Sequence, residues 1–343
     1  MRRLTLTVIL LGALLIPTGT ATAAPPVKDV RARVIGTLDD GITARTINKH
    51  GEVAFSAPST GPAVWDASSG STRALERASN AVPQAITDDG RVVGAGDGEL
   101  VIWGRDGRPT TIGHPVDDKV ERVRMNNDGT VMLSAYHIVW VNTPRGPRPE
   151  PVVSYYRWQP EAGFQRLAVN GERSRAEAIN DEGVIVGRTS ASAVRWQPDG
   201  TTVTQVPLPG ETRPAWALGI NNRDVVVGAQ QRADLMTITP VRWDTPTEPH
   251  ALSDFGLGGE ATAINDRGWI VGTVYVLTDK GRTTTPAVWD GHGDVHRLDE
   301  LLEGQDVGGT VSSIEGVNNR NQLLLRVWKP GGAGAAVTVV QLT

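Results

Sequence analysis

Apolar residues in this chain come in short bursts. Runs such as "RVVG", "VIVG", "DVVVG" and "WIVG" are rich in Val and Ile, and Gly, Pro, Asn or Asp interrupts them within a few residues. No stretch sustains the 3.6-residue spacing of an amphipathic helix. β-branched runs between turn residues predict strands almost throughout, with negligible helix after residue 30.

The bursts belong to a longer repeat. "PQAITDDGRVVG" begins at Pro83, "AEAINDEGVIVG" at Ala176, "ALGINNRDVVVG" at Ala217 and "ATAINDRGWIVG" at Ala261. Aligning on the phrase gives seven copies anchored at Asn48, Thr87, Asn126, Asn180, Asn221, Asn265 and Asn318, with steps of 39, 39, 54, 41, 44 and 53 residues. A period near 40 suits four short strands and their turns, which is one propeller blade.

Each part of the phrase has a local reason. The small and aliphatic residues before the anchor suit an innermost strand, where the blades converge. The anchor Asn can bond its own backbone two residues on and start a turn. Gly51, Gly90, Gly129, Gly183 and Gly268 follow three residues later, where φ > 0 is needed, with Asp224 and Asn321 in two copies. The second strand carries Gly94, Gly187, Gly228 or Gly272, which suggests close approach of a neighbouring blade. A third strand ends on Trp65, Trp103, Trp196, Trp243 or Trp289, one large ring per blade for packing between twisted sheets. A weaker fourth segment, such as "RALE" or "HRLD", reads as the charged outer edge.

The last copy holds only three strands before Thr343, and "RARVIGTL" at 31–38 is left unassigned. The expected fold is therefore an all-β, seven-bladed β-propeller closed by an N-terminal strand that completes the last blade. Residues 31–343 form one domain in this reading. Residues 1–23 read as a signal peptide: Arg2 and Arg3, an apolar Leu4–Ile16, then "ATA" ending at Ala23. A short linker, 24–30, follows. The expected localisation is extracellular, with no membrane span after signal removal, because the apolar run is too short to cross a bilayer.

The repeat resembles the HAF family of extracellular repeat proteins. The family pattern runs D-L-G-x-L-G-G, a spacer, I-N-x-x-G-x-V-V-G, then H-A-F-x-W. "LSDFGLGGEATAINDRGWIVG" at 252–272 is similar to its first half, and "VIGTLDDGITARTINKHGEVA" is similar more loosely. "PAVW" and "SAVRW" stand where the family has its tripeptide. The resemblance implies export and a propeller-like β fold, and it supplies no catalytic residues.

Charge and composition narrow the chemistry. Without Arg2 and Arg3, Lys+Arg falls from 34 to 32 against 38 acidic residues, near −6, which argues against a nucleic-acid binder. There are no cysteines, so disulfides and thiolate metal sites are excluded. His292 and His296 in "DGHGDVH" have metal-ligand chemistry, but the segment reads better as a hairpin turn. No metal or other cofactor is expected. Nucleophile-elbow, phosphate-loop and zinc-protease motifs are all missing.

Departures from the repeat carry the functional expectation. Between Ser134 and Trp158 the third copy gains an insertion with Tyr136, Trp140, Arg145, Arg148, Tyr155 and Tyr156. Its segment "TPRGPRPEP" reads as a stiff, polar, turn-rich loop. Aromatic residues with Arg are common contact residues; the other reading is a hairpin whose rings pack on their own blade. Arg232 and Tyr275, in the corresponding connections of later copies, should share its face. The expected function is a secreted, monomeric binding protein with an extracellular glycan, cell-wall polymer or protein as ligand. Activity as an enzyme is the less favoured expectation, the alternative being a propeller hydrolase or lyase acting on a glycan or small molecule.

Overall fold

The computed structural model describes residues 30–39, 44–168, 174–233, 237–332 and 334–343. Residues 1–23, which read as a signal peptide, and residues 24–29 of the expected linker lie outside the described residues. Seven antiparallel sheets follow one another along the chain, as the repeat predicts. We number them as blades 1–7 by their anchors. Blade 4 is typical: Arg175–Ile179 innermost, then Ile185–Arg188, Ala193–Trp196 and Thr202–Thr204. Blade 1 has three named strands, and an isolated bridge between Ile47 and Val53 occupies its inner position. Helix among the described residues is confined to single turns at Leu298–Leu301 and Pro330–Gly332.

The ring closes as expected. Ala32–Leu38 pairs antiparallel with Ala335–Leu342 and so forms the outer strand of blade 7. Ile35 and Leu38 of that strand pack beside Trp65 and Phe55 of blade 1. The first and last segments of the chain are thereby joined by both backbone pairing and apolar burial.

The tryptophans pack between blades. Trp103, Trp196, Trp243 and Trp289 are essentially fully buried. Their indole N–H groups donate to Glu76 (2.7 Å), Ala168 (3.0 Å), Val206 (2.7 Å) and Ser253 (2.7 Å) carbonyls, each just beyond the outer strand of the preceding blade. Trp158, 8% exposed, holds the same place in blade 3. The second-strand glycines have a different reason from the expected one. A Cβ at Gly187, Gly228 or Gly272 would lie 1.9 Å from the carbonyl oxygen of Arg175, Trp216 or Glu260, and one at Gly94 would lie 2.3 Å from that of Val82. The close neighbour is the inner strand of the same blade, where a bulge presses its backbone inwards, not the adjacent blade.

The anchors do more than start turns. Asn221 Oδ1 accepts from the N–H groups of Arg223 and Val225, both at 3.0 Å, while its Nδ2 donates to the Asn265 carbonyl at 3.0 Å. The same reach to the next blade recurs from Asn48, Asn126, Asn180, Asn265 and Asn318. The last of these, Asn318 to the Asn48 carbonyl at 2.8 Å, closes the circle. Thr87 accepts from Arg91 N–H at 3.1 Å but has no amide to reach Asn126.

These contacts give three stability predictions. Deleting Ala32–Leu38 should remove cooperative unfolding or lower its midpoint far more than replacing 137–152 by a two-residue turn. Thermal melts of both variants check this, and equal midpoints would contradict the closure. Asn221→Ala leaves the Arg223 and Val225 N–H groups without their acceptor, while the Asn265 carbonyl keeps the Gly268 N–H, and should lower stability in urea melts by about 1–3 kcal/mol. Thr87→Asn supplies the missing link and should stabilise by ~1 kcal/mol in urea melts.

Candidate functional site at the mouth of the channel

The two ends of the central channel differ. At one end lie the anchor turns. The residues after the anchors, Lys49, Asp88, Asn127, Asp181, Asn222, Asp266 and Asn319, form a polar crown around a cavity of about 240 Å³. Six of their N–H groups donate to the side chain of the next member, at 2.7–2.9 Å. Beneath the anchors sits an aliphatic collar of Ile47, Ile86, Met125, Ile179, Ile220, Ile264 and Val317. These groups bond to one another, so this end is committed to holding the blades together.

The opposite end carries the connections between second and third strands. There a cavity of about 630 Å³ lies off-centre, against blades 3, 4 and 5. Its wall includes Tyr155 and Val153 of blade 3, Arg175, Glu177 and Arg188 of blade 4, and Trp216 of blade 5. The Arg188 guanidinium lies 5.7 Å from the centre of the Trp216 ring, a cation–π contact. Arg124 also lines this cavity. Enclosure by protein lowers its pKa, the neighbouring Arg45 guanidinium lowers it further, and Glu177 partly opposes both.

The insertion in blade 3 is not the turn-rich loop expected from "TPRGPRPEP". Val131–Thr143 and Gly146–Gln159 form one unbroken antiparallel hairpin with only Pro144 and Arg145 in its turn. The prolines explain why strand is possible. Pro147, Pro149 and Pro151 are two residues apart, so their missing N–H groups fall on one edge. The ladder to Val131–Thr143 is unbroken, and the fourth strand pairs only with Tyr156–Gln159. The prolines therefore blunt the outer, unpaired edge.

The hairpin distributes the expected residues over different environments. Met132, Ser134, Val153 and Tyr155 line the cavity. By the pleat, Tyr136, Ile138 and Trp140, with Pro151 and Pro149 opposite, continue that face outwards. Trp140 is 71% exposed and Ile138 is 49% exposed. Burial pushes the Tyr155 phenol up, with Arg175 acting the other way. Tyr156 points to the other side of the sheet: it is buried, and its hydroxyl donates to Asp118 at 2.6 Å. Arg145 is exposed in the turn, and Arg148 pairs with Glu150 two residues on. Arg232 lies beside Glu211 at 3.7 Å and Thr239 at 3.3 Å. Tyr275 is covered by its own hairpin's Arg282, 3.8 Å from the ring centre. The structure thus brings Tyr136, Trp140 and Tyr155 onto one surface and leaves Tyr156 in the core.

Sequence reasoning missed Arg45, Arg122, Arg124, Arg175, Arg188 and Trp216. A signal was present. Inner strands elsewhere read "ATAI" or "QAI", whereas blade 3 reads "ERVRM" and blade 1 reads "TARTI". Arginine where the repeat favours small residues marks a charged cavity wall.

The histidines lie elsewhere. "DGHGD" forms the turn between Gly281–Trp289 and Val295–Arg297, with Asp290 accepting from the His292 N–H at 2.8 Å and the Asp294 N–H at 3.1 Å. His137 Nδ1 lies 2.6 Å from Asp118, on the same side of the hairpin as Tyr156 and away from the cavity. Burial pushes the Asp118 carboxyl up, but hydrogen bonds from Tyr156 and His137 outweigh it and leave its pKa below the ordinary carboxylate value. A depressed folded pKa contributes stability above the unfolded value of about 3.9 and loses it as pH falls through the folded value. Asp118→Asn should therefore lower the urea midpoint at neutral pH and flatten its decline below about pH 4.

No family model matches the sequence, and no curated protein matches it. Among solved structures, the chain is similar to the WD40 repeats of RRP9, with TM-score 0.52 and 15% identity over 91% of this chain and 98% of that one. It is similar to an acylaminoacyl peptidase of Pyrococcus horikoshii with TM-score 0.53 and 12% identity, over 85% of this chain and 49% of that one, so it spans about half the peptidase. A gluconolactonase from Xanthomonas campestris aligns over 92% of this chain and 90% of that one, with TM-score 0.43 and 14% identity. At these identities the first two likenesses concern the fold: this chain is a seven-bladed β-propeller.

Proposed function

We propose that the protein is an extracellular binding protein that takes its ligand on the hairpin-bearing end of the propeller. The observation that carries this reading is one continuous surface. The aromatic face of the blade 3 hairpin, Trp140 to Tyr136, runs into the cavity wall at Val153 and Tyr155. An arm that packed only on its own blade would not leave Trp140 71% exposed. Exposed rings beside a preformed concavity suit recognition, because rigid aromatic side chains lose little entropy on contact. The export-signal pattern and the resemblance to HAF repeats support the extracellular setting.

The hydrolase or lyase alternative needs a proton donor and acceptor near the cavity. Its described lining contains Glu121 and Glu177 but no histidine, and the Asp118–His137 pair sits on the other side of the hairpin. An arginine–aromatic wall favours binding.

The reading is tested by a glycan array and an extracellular-protein pull-down with the chain lacking residues 1–23. Trp140→Ala and Tyr155→Ala should each weaken the captured interaction by ~10-fold, about 1.4 kcal/mol, with unchanged melting of Trp140→Ala. Undiminished capture by a folded variant in which a two-residue turn replaces 137–152 would overturn it.

A further inference from the structure

The channel mouth holds more positive charge than the fold uses. Among the described residues, Arg45, Arg122, Arg124, Arg175 and Arg188 line the cavity, against Glu121 and Glu177. This happens on a chain of formal net charge −4. The guanidinium groups of Arg45, Arg122, Arg124 and Arg175 make no hydrogen bond or ion pair among the described residues, and Arg188 Nε is buried without a partner.

Arginines elsewhere in the fold have polar partners, although Arg157 Nε, like Arg188 Nε, is buried without one. Arg157 donates to the carbonyls of Pro198, Gly183 and Gln197, at 2.9–3.1 Å. Arg326 pairs with Glu315 at 2.9 Å, and Arg242 pairs with Asp244 at 2.6 Å. The contrast matters because like charges gathered around one cavity repel one another, and packing does not require exposed arginines such as Arg45, Arg122 and Arg175 to converge there. Burial and the adjacent Arg45 act together against the charged form of Arg124. Burial also pushes the Glu260 carboxyl up, and Arg188 opposes that shift. A cleft of one sign concentrates ligands of the other, and the guanidinium fork fits carboxylate and phosphate oxygens.

We infer that the channel mouth is an anion site for an acidic saccharide chain, whose carboxylate or phosphate groups sit among Arg45, Arg122, Arg124 and Arg175 while its sugar rings lie along Tyr155, Tyr136 and Trp140. This rests on the binding reading above and adds the ligand class. Sugar rings present apolar C–H faces to the electron-rich faces of aromatic rings, so the hairpin suits the neutral part of such a chain. The arginines suit its charge.

The test measures binding by calorimetry to three probes: oligogalacturonate, its methyl ester, and a glycerol-phosphate oligomer of similar length. At low salt the acid should bind at least ~10-fold tighter than the ester, and the preference should shrink as salt rises. Arg122→Gln/Arg175→Gln should lose ~10-fold or more for the acid while leaving ester binding unchanged. Arg45→Gln, on an exposed residue of another blade, gives the same readout if the double variant fails to fold. The tighter of the two acidic probes distinguishes carboxylate from phosphate. Equal affinity for acid and ester, insensitive to the arginine variants, would overturn the anion site. If that binding still falls with Trp140→Ala, the hairpin reading survives alone. Failure of both acidic probes to bind at low salt also overturns the inference.

Discussion

Everything in this propeller depends on the side-chain amide of the anchor asparagine. One end of it closes the turn in its own blade, and the other reaches the carbonyl of the next. Seven sheets that touch only their neighbours could splay; six amide links, one of them from Asn318 to Asn48, oppose that. Each is worth about 1 kcal/mol net, so the ring directs geometry more than it supplies stability. Its value lies in position. The groups it satisfies are backbone atoms at the tightest point of the fold, where leaving them unpaired would be costly.

The crown above the anchors shows what an odd number of blades imposes. Asp88, Asn127, Asp181, Asn222, Asp266 and Asn319 alternate acceptor and donor side chains. Alternation cannot continue around seven positions. The seventh is Lys49, whose ammonium lies 3.5 Å from Asp88 and which offers Asn319 no acceptor. The opening in the crown thus falls where the first and last blades meet, the junction that the N-terminal strand and Trp65 already secure.

The sequence reveals whatever repeats. The anchors, the positive-φ residue three positions later and the inter-blade tryptophans recur at fixed offsets, and their roles follow from local geometry. The closing strand was legible because one copy lacked a fourth strand. Contacts between distant copies were less legible. Arg45 and Arg175 lie 130 residues apart in the chain, and only the ring brings them to one cavity. The second-strand glycines were readable as a close approach, but the partner was not, because the bulge that creates it leaves no residue signature. Taken one at a time, the prolines of "TPRGPRPEP" point to a loop and leave the hairpin as the other reading. Their spacing of two, alternating with Arg148 and Glu150, is a strand pattern with one blunted edge.

The same spacing of roles explains why the proposed binding site lies at the hairpin end. At the crown end the turns are short and their polar groups bond one another, so an insertion there would break links on both sides. At the other end the connections join strands after the blade's packing is complete, and a hairpin can lengthen without disturbing the ring. Blade 3 has done so, and its inner strand has exchanged small residues for Arg122 and Arg124. Both changes fall on the cavity side of one blade. Exposed rings and guanidinium groups without protein partners thus meet on one wall, and the proposed binding of an extended, charged ligand rests on that meeting.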